Sequence, residues 1–135
     1  MQRPITAKDY MSGICLTFAK DMDVLEAIRL MLQKQVTGAP VVDKVGNLIG
    51  MLTEKDCMQV ALNAGYHEEY GGPVSQFMHT GVVTVDAETN IVDVAELLRQ
   101  CEHRTCPVLF ENRLVGQITR RDVLRAVDTL SRETG

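Results

Sequence analysis

Gly38-Ala39-Pro40-Val41-Val42-Asp43, followed after a short gap by Gly50-Met51-Leu52-Thr53-Glu54-Lys55-Asp56, returns later as Cys106-Pro107-Val108 and Gly116-Gln117-Ile118-Thr119-Arg120-Arg121-Asp122. The recurrence spreads outward from these stretches. At one constant offset Met11 falls on Met78, Thr17 on Thr84, Ala27 on Val94, Leu30 on Leu97, Gln33 on Gln100 and Pro40 on Pro107. Dropping one residue near Gly46 then places Leu48 on Leu114, Gly50 on Gly116, Thr53 on Thr119 and Asp56 on Asp122. Two copies of one unit therefore account for the 135 residues, and the fold must be a doubled one.

Each copy has a readable order of elements. Ile14 to Phe18 and Val82 to Val85 are β-branched or apolar and suit a strand. Val24, Ala27, Ile28, Met31 and Leu32, and then Ile91, Val94, Ala95 and Leu98, recur at helical spacing, with Asp21 or Asp23 and Thr89 or Asn90 as candidate caps. Two strands follow, Ala39 to Asp43 with Leu48 to Leu52 and Cys106 to Phe110 with Leu114 to Ile118. Their short connections, Lys44 to Asn47 and Glu111 to Arg113, indicate antiparallel hairpins. A second helix closes each copy, opening at Thr53 to Asp56 and Thr119 to Asp122. The order strand, helix, strand, strand, helix predicts repeats at residues 1–65 and 74–135. The polar, turn-rich stretch 66–73 reads as a linker long enough to let one copy rotate against the other.

Bulk properties narrow the function. A chain of this length with 45% hydrophobic residues buries a core without disulfides or metal. A net charge of -4 argues against a nucleic-acid or anionic-membrane surface. No apolar run reaches the length of a membrane span and no signal-peptide pattern opens the chain, so the expected location is cytoplasmic. Cys15, Cys57, Cys101 and Cys106 form no Cys-x-x-Cys pair, which fits reduced thiols. Cys101, His103 and Cys106 lack the fourth ligand and the spacing of a zinc site. No nucleophile, base and orienting group cluster, and there is no phosphate-binding glycine motif, so no catalytic residue and no required cofactor are expected.

The two motif pairs, found twice and in order, resemble the CBS domain, which occurs in tandem as the Bateman module, and the resemblance covers nearly the whole chain. It implies an α/β fold of the α+β type: two β-α-β-β-α repeats related by a pseudo-twofold axis, sheets packed together and helices outside. It also implies clefts between the repeats that accept adenosine derivatives, and assembly as a homodimer. Carried over by position, one cleft uses Thr119, Asp122 and Arg104 with Leu16 and Pro107. The other uses Thr53, Asp56 and Thr37 with Val83. The function implied is regulatory sensing of an adenine nucleotide, AMP, ADP, ATP or a related adenosyl compound, with a regulated protein as possible partner. The alternative is a dimerisation or protein-interaction module with vestigial clefts.

From physics alone, Thr-x-x-Asp at a helix start is a capping box. A carboxylate at that rim can also accept from a vicinal diol, as acidic residues do from ribose in dinucleotide folds. Between Thr and Asp the copies diverge. Arg120 and Arg121 oppose the helix dipole and, with His103 and Arg104, could offer fork-shaped donors to phosphate. Glu54 suits the dipole and repels phosphate, leaving Lys55 as the nearby cation. The first cleft is thus expected to bind more weakly or to take a less charged ligand. Val24, Ile28, Val92 and Leu124 are the kind of residue expected to line a helix-face dimer.

Overall fold

The computed structural model describes residues 5–14, 16–101 and 104–134. The chain divides into two compact units, the first Cys15–Val82 and the second Met1–Ile14 with Val83–Gly135. The sequence repeat and the compact unit are therefore different divisions of the chain.

The first unit contains β1 (Phe18–Ala19), α2 (Val24–Lys34), β2 (Gly38–Val42), β3 (Leu48–Thr53), α3 (Glu54–His67) and α4 (Val74–Phe77); α1 (Ala7–Tyr10) precedes them in the chain. Its sheet has the order β1-β2-β3, with β1 parallel to β2 and β2 antiparallel to β3. The second unit holds α1 with β4 (Val85–Asp86), α5 (Ile91–Gln100), β5 (Thr105–Phe110), β6 (Arg113–Thr119) and α6 (Arg120–Thr134). The same sheet order recurs there as β4-β5-β6.

Most of the expected elements are present, and their local causes can be named. Asp23 caps α2 by accepting from Leu25 N–H at 3.0 Å, and Asn90 caps α5 by accepting from Asp93 N–H at 3.0 Å. The β5–β6 hairpin turns on Glu111 and Asn112 alone, at φ 52° and 67°, while Arg113 already belongs to the strand. Two successive positive φ values match the right-handed twist of the flanking strands.

The opening strands are shorter than expected. Only Phe18–Ala19 and Val85–Asp86 pair, in register with Val41–Val42 and Val108–Leu109. The cause lies one step earlier, at Pro40 and Pro107. Pro40 faces Met51 across the hairpin, and Met51 spends both its backbone groups on His79, away from β2. Pro40 therefore directs its nitrogen toward β1, and that nitrogen has no proton to give. Pro107 stands in the same relation to Gln117, which pairs with Ser12.

Two four-residue helices, α1 and α4, were not foreseen. They occupy matching places in the repeat, yet each completes the unit of the other copy's sheet. Val74 and Phe77 lie in the core with Phe18, Val24, Ala27, Val41 and Leu52. Ala7 lies in the core with Val85, Ile91, Val94, Val108 and Ile118. Behind each helix the chain adds a short edge to the sheet: His79 pairs with Met51 at 3.0 Å in both directions, and Ser12 with Gln117 at 2.8 and 2.9 Å. Gly50 and Gly116 make room for these crossings. A β-carbon at Gly50 would stand 2.8 Å from His79 O, and one at Gly116 2.8 Å from Ser12 O. The glycine of each motif is thus a close-approach glycine.

The linker stretch is partly built into the first unit. α3 runs on to His67, and Gly72 O accepts from Val24 N–H at 2.8 Å, followed by Val74 N–H to Met22 O at 2.8 Å. Among the described residues no helix is long and apolar enough to cross a membrane.

Candidate functional site

In each unit the last strand of the sheet delivers Thr-x-x-Asp at the start of the closing helix. In the first unit Asp56 N–H donates to Thr53 Oγ1 at 3.3 Å, and Asp56 Oδ2 accepts from Thr53 N–H and from Thr53 Oγ1–H, both at 2.9 Å. In the second unit Asp122 N–H donates to Thr119 Oγ1 at 3.1 Å, and Asp122 Oδ2 accepts from Thr119 N–H at 2.8 Å. Both are capping boxes, and each fixes its carboxylate at the rim of a sheet.

What completes each carboxylate differs. In the first unit His79 Nδ1 lies 2.8 Å from Asp56 Oδ2, the oxygen that already serves the cap. Asp56 Oδ1 is left with no donor among the described residues. In the second unit Arg125 Nη2 donates to Asp122 Oδ1 at 2.6 Å. The same guanidinium reaches Tyr10 O at 3.3 Å and stands 5.8 Å from the centre of the Tyr10 ring. Side-chain exposure follows the same division, 17% for Asp56 and 9% for Asp122. Neither His79 nor Arg125 was anticipated. Arg125 carried a signal, since residues three apart on a helix are neighbours and favour opposite charges. His79 carried none, because its counterpart in the repeat is Ser12.

The remaining candidates fall into place by unit. Thr37 is exposed beside the first rim, and its carbonyl accepts from Glu54 N–H at 2.9 Å; Lys55 is exposed on the first turn of α3. Leu16 packs in the same unit, partly buried against the Phe18 core. In the second unit Arg120 donates Nε–H to Leu98 O at 3.1 Å and Nη2–H to Cys101 O at 2.6 Å, so its guanidinium closes the C-terminal end of α5. This resolves the apparent conflict with the helix dipole: the cation at the start of α6 serves the negative end of another helix. Arg121 and Arg104 are exposed and make no hydrogen bond or ion pair among the described residues. Pro107 is buried within β5, and Val83 is exposed, its carbonyl accepting the Cys106 thiol at 3.1 Å. His103 lies outside the described residues.

Electrostatics separates the two rims further. Glu54, Lys55 and Asp56 surround the first, and Arg120, Arg121 and Arg125 accompany Asp122 at the second. Burial pushes the Cys57 thiol up to about 11, with the Asp56 and Glu54 carboxylates adding to it, and burial pushes Cys106 up to about 12. Both stay protonated at neutral pH and are poor nucleophiles. Among the described residues no group of three His, Cys, Asp or Glu side chains could hold a metal ion.

Comparison with known proteins places this geometry. YhcV of Bacillus subtilis, a CBS domain-containing protein, is 33% identical over 130 residues, covering 96% of this chain and 89% of YhcV. The uncharacterised protein MJ1225 of Methanocaldococcus jannaschii is 30% identical over 118 residues, and the chain spans 41% of its length. The structure of CBSX2 in complex with AMP superposes with a TM-score of 0.81 at 28% identity, over 94% of this chain and 98% of that one; CBSX2 is a CBS-pair protein of Arabidopsis thaliana. The CBS domain family model matches twice, over residues 7–63 and 74–129. With the doubled motif, the doubled β-α-β-β-α unit and these matches in agreement, the chain belongs to the CBS domain family and carries two CBS domains in tandem.

Proposed function

We propose that this CBS pair is a regulatory module that senses an adenine nucleotide or a related adenosyl compound and performs no catalysis of its own. The observation that supports this is the Asp56 carboxylate. Its Oδ2 is engaged by Thr53 and His79, and its Oδ1 has no donor among the described residues, an acceptor suited to the hydroxyls of a ribose. At the other rim Arg121 and Arg104 offer guanidinium groups to phosphate, while Thr119 and Asp122 hold the rim's shape. The AMP bound by CBSX2 fits this reading.

The test is thermal unfolding with AMP, ADP, ATP, S-adenosylmethionine and adenosine. Ligand at one hundred times its dissociation constant adds about 2.7 kcal/mol, a shift such a melt resolves. Absence of a shift with every compound at millimolar concentration would end the proposal.

A second reading, an interaction module that dimerises through helix faces, is favoured by one observation. Met58, Leu62 and Tyr66 form an exposed apolar row along α3, and Val92 and Leu124 are 72% and 67% exposed on α5 and α6. Val24, expected at such a face, is instead fully buried in the first unit's core, and Ile28 is partly buried against it. Sensing and dimerisation are compatible, and a cytoplasmic homodimer acting on a protein partner is the setting we propose. Light scattering at high micromolar concentration tests the dimer.

A further inference from the structure

We infer that Arg125 is a specificity-determining residue of the Asp122 rim: it occupies the carboxylate that a ribose would need, so an uncharged adenosyl ligand fills the Asp56 rim first. This rests on the adenosyl reading above and adds the order in which the two rims fill.

The geometry carries it. Asp122 Oδ2 accepts from Thr119 N–H at 2.8 Å, which leaves Oδ1 as the oxygen on offer. Arg125 Nη2 already stands 2.6 Å from that Oδ1, a short charge-assisted bond. The two residues are three apart on α6 and therefore neighbours, so the pair needs no distortion of the helix. Tyr10 holds the guanidinium a second time: its carbonyl accepts from the same Nη2 at 3.3 Å, and its ring centre lies 5.8 Å away. The Asp122 side chain is left 9% exposed, while that of Arg125 is 57% exposed. A vicinal diol that reaches Asp122 must therefore displace a cation, and that cation has water to move into.

The first unit has the same motif without this occupant. Gln59 stands three residues beyond Asp56, in the place of Arg125, and its amide turns along α3 to donate to Asn63 Oδ1 at 2.7 Å. The Asp56 side chain keeps 17% of its surface exposed. Counting cations alone would favour the Asp122 rim for every adenosyl ligand. The pairing confines that advantage to ligands with a phosphate for Arg121 and Arg104 to bind. A surface pair of this kind shifts an equilibrium by up to about fivefold.

Two measurements with adenosine, which carries no phosphate, test the inference. In the wild-type chain, followed by NMR, the Asp56 carboxylate carbon should respond at a lower adenosine concentration than that of Asp122. Calorimetry then compares variants in which one rim is weakened, Asp56→Asn or Asp122→Asn, each with and without Arg125→Met; Asn retains an acceptor oxygen for the cap, and Met keeps the apolar stem but no donor. With Asp56→Asn, the added Arg125→Met should tighten adenosine about fivefold. With Asp122→Asn it should change nothing, because the group it uncovers is gone. A merely structural role for Arg125 predicts the opposite sign, weaker binding on its removal. Asp122 responding first or together with Asp56, or no gain in the Asp56→Asn background, overturns the inference and leaves the adenosyl reading intact. A wild-type chain that ignores adenosine overturns the inference, and one that ignores AMP as well overturns the adenosyl reading with it.

Discussion

Replacing Gly50 with alanine tests the structural reason for the glycine in the Gly-x-apolar-Thr-x-x-Asp motif. The new methyl group would sit 2.8 Å from His79 O and 2.9 Å from Met78 Sδ. The methionine can swing away, but the carbonyl is part of the backbone. Moving it breaks the reciprocal Met51–His79 pair, two hydrogen bonds of 3.0 Å, which together contribute about 1–3 kcal/mol. Alanine gives back about 0.4–1 kcal/mol by restricting the unfolded chain. The net loss is up to about 2.6 kcal/mol, which at about 2 kcal/mol per M in urea lowers the midpoint by up to roughly 1.3 M. Gly65 provides the control, since it lies in α3 with no atom within 4 Å of the added carbon. Gly65→Ala should raise the stability by up to about 1 kcal/mol, and the midpoint with it. One substitution is thus expected to act with opposite sign at two positions. If Gly50→Ala stabilises as Gly65→Ala does, the edge at His79 is not tightly packed and the argument fails.

Arg120→Gln should cost about 1–2 kcal/mol of stability through the lost bonds to Leu98 and Cys101 carbonyls. Arg121→Gln should leave the melt unchanged but weaken AMP about tenfold with adenosine unaltered; equal effects on the two ligands would remove Arg121 from phosphate recognition. The carboxyl of Asp43 is held below its ordinary 3.8 by backbone N–H donors, Asn47 foremost, so its contribution is whole at neutral pH and lost as the pH falls below 3.8. Asp43→Ala should accordingly flatten the acid limb of the stability profile, and an unchanged limb would contradict the turn's role. With thiols near 11 and 12, Cys57 and Cys106 should resist labelling by an aromatic disulfide at pH 8 until the protein unfolds, as mass spectrometry of the labelled peptides can establish.

The elements that local chemistry determines were legible in the residues. Helical spacing with Asp23 or Asn90 in front, a turn between two β-branched runs, and Thr-x-x-Asp at a helix start each report on their own neighbourhood. What escaped depends on partners distant in the chain. The shortness of β1 follows from which way Pro40 faces, and that is decided by the pairing of Met51 with His79. α1 and α4 are too brief to show a period, and nothing local says which sheet will take them. The same holds at the rims. Arg120 looked like a phosphate ligand because the end of α5 that it closes lies about twenty residues away in sequence. The role of His79 became readable only once the edge it belongs to was in place.

The placement of α1 governs how this chain acquires its structure. Residues 15–82 hold everything their unit needs, so that unit is free to close as soon as they are available. The other unit has to wait: Tyr10 meets Arg125 across 115 positions of sequence, and Ser12 pairs with Gln117. During synthesis the opening segment stays without its sheet until β6 emerges, and without its Arg125 contact until α6 follows, and closing so long a loop is slow. Removing the first dozen residues should therefore loosen the far end of the polypeptide, exposing Val85, Ile118 and Ala126 to hydrogen exchange while the middle of the chain stays protected. A fragment beginning at Val74 would contain a complete repeat by sequence and still lack the pieces to fold.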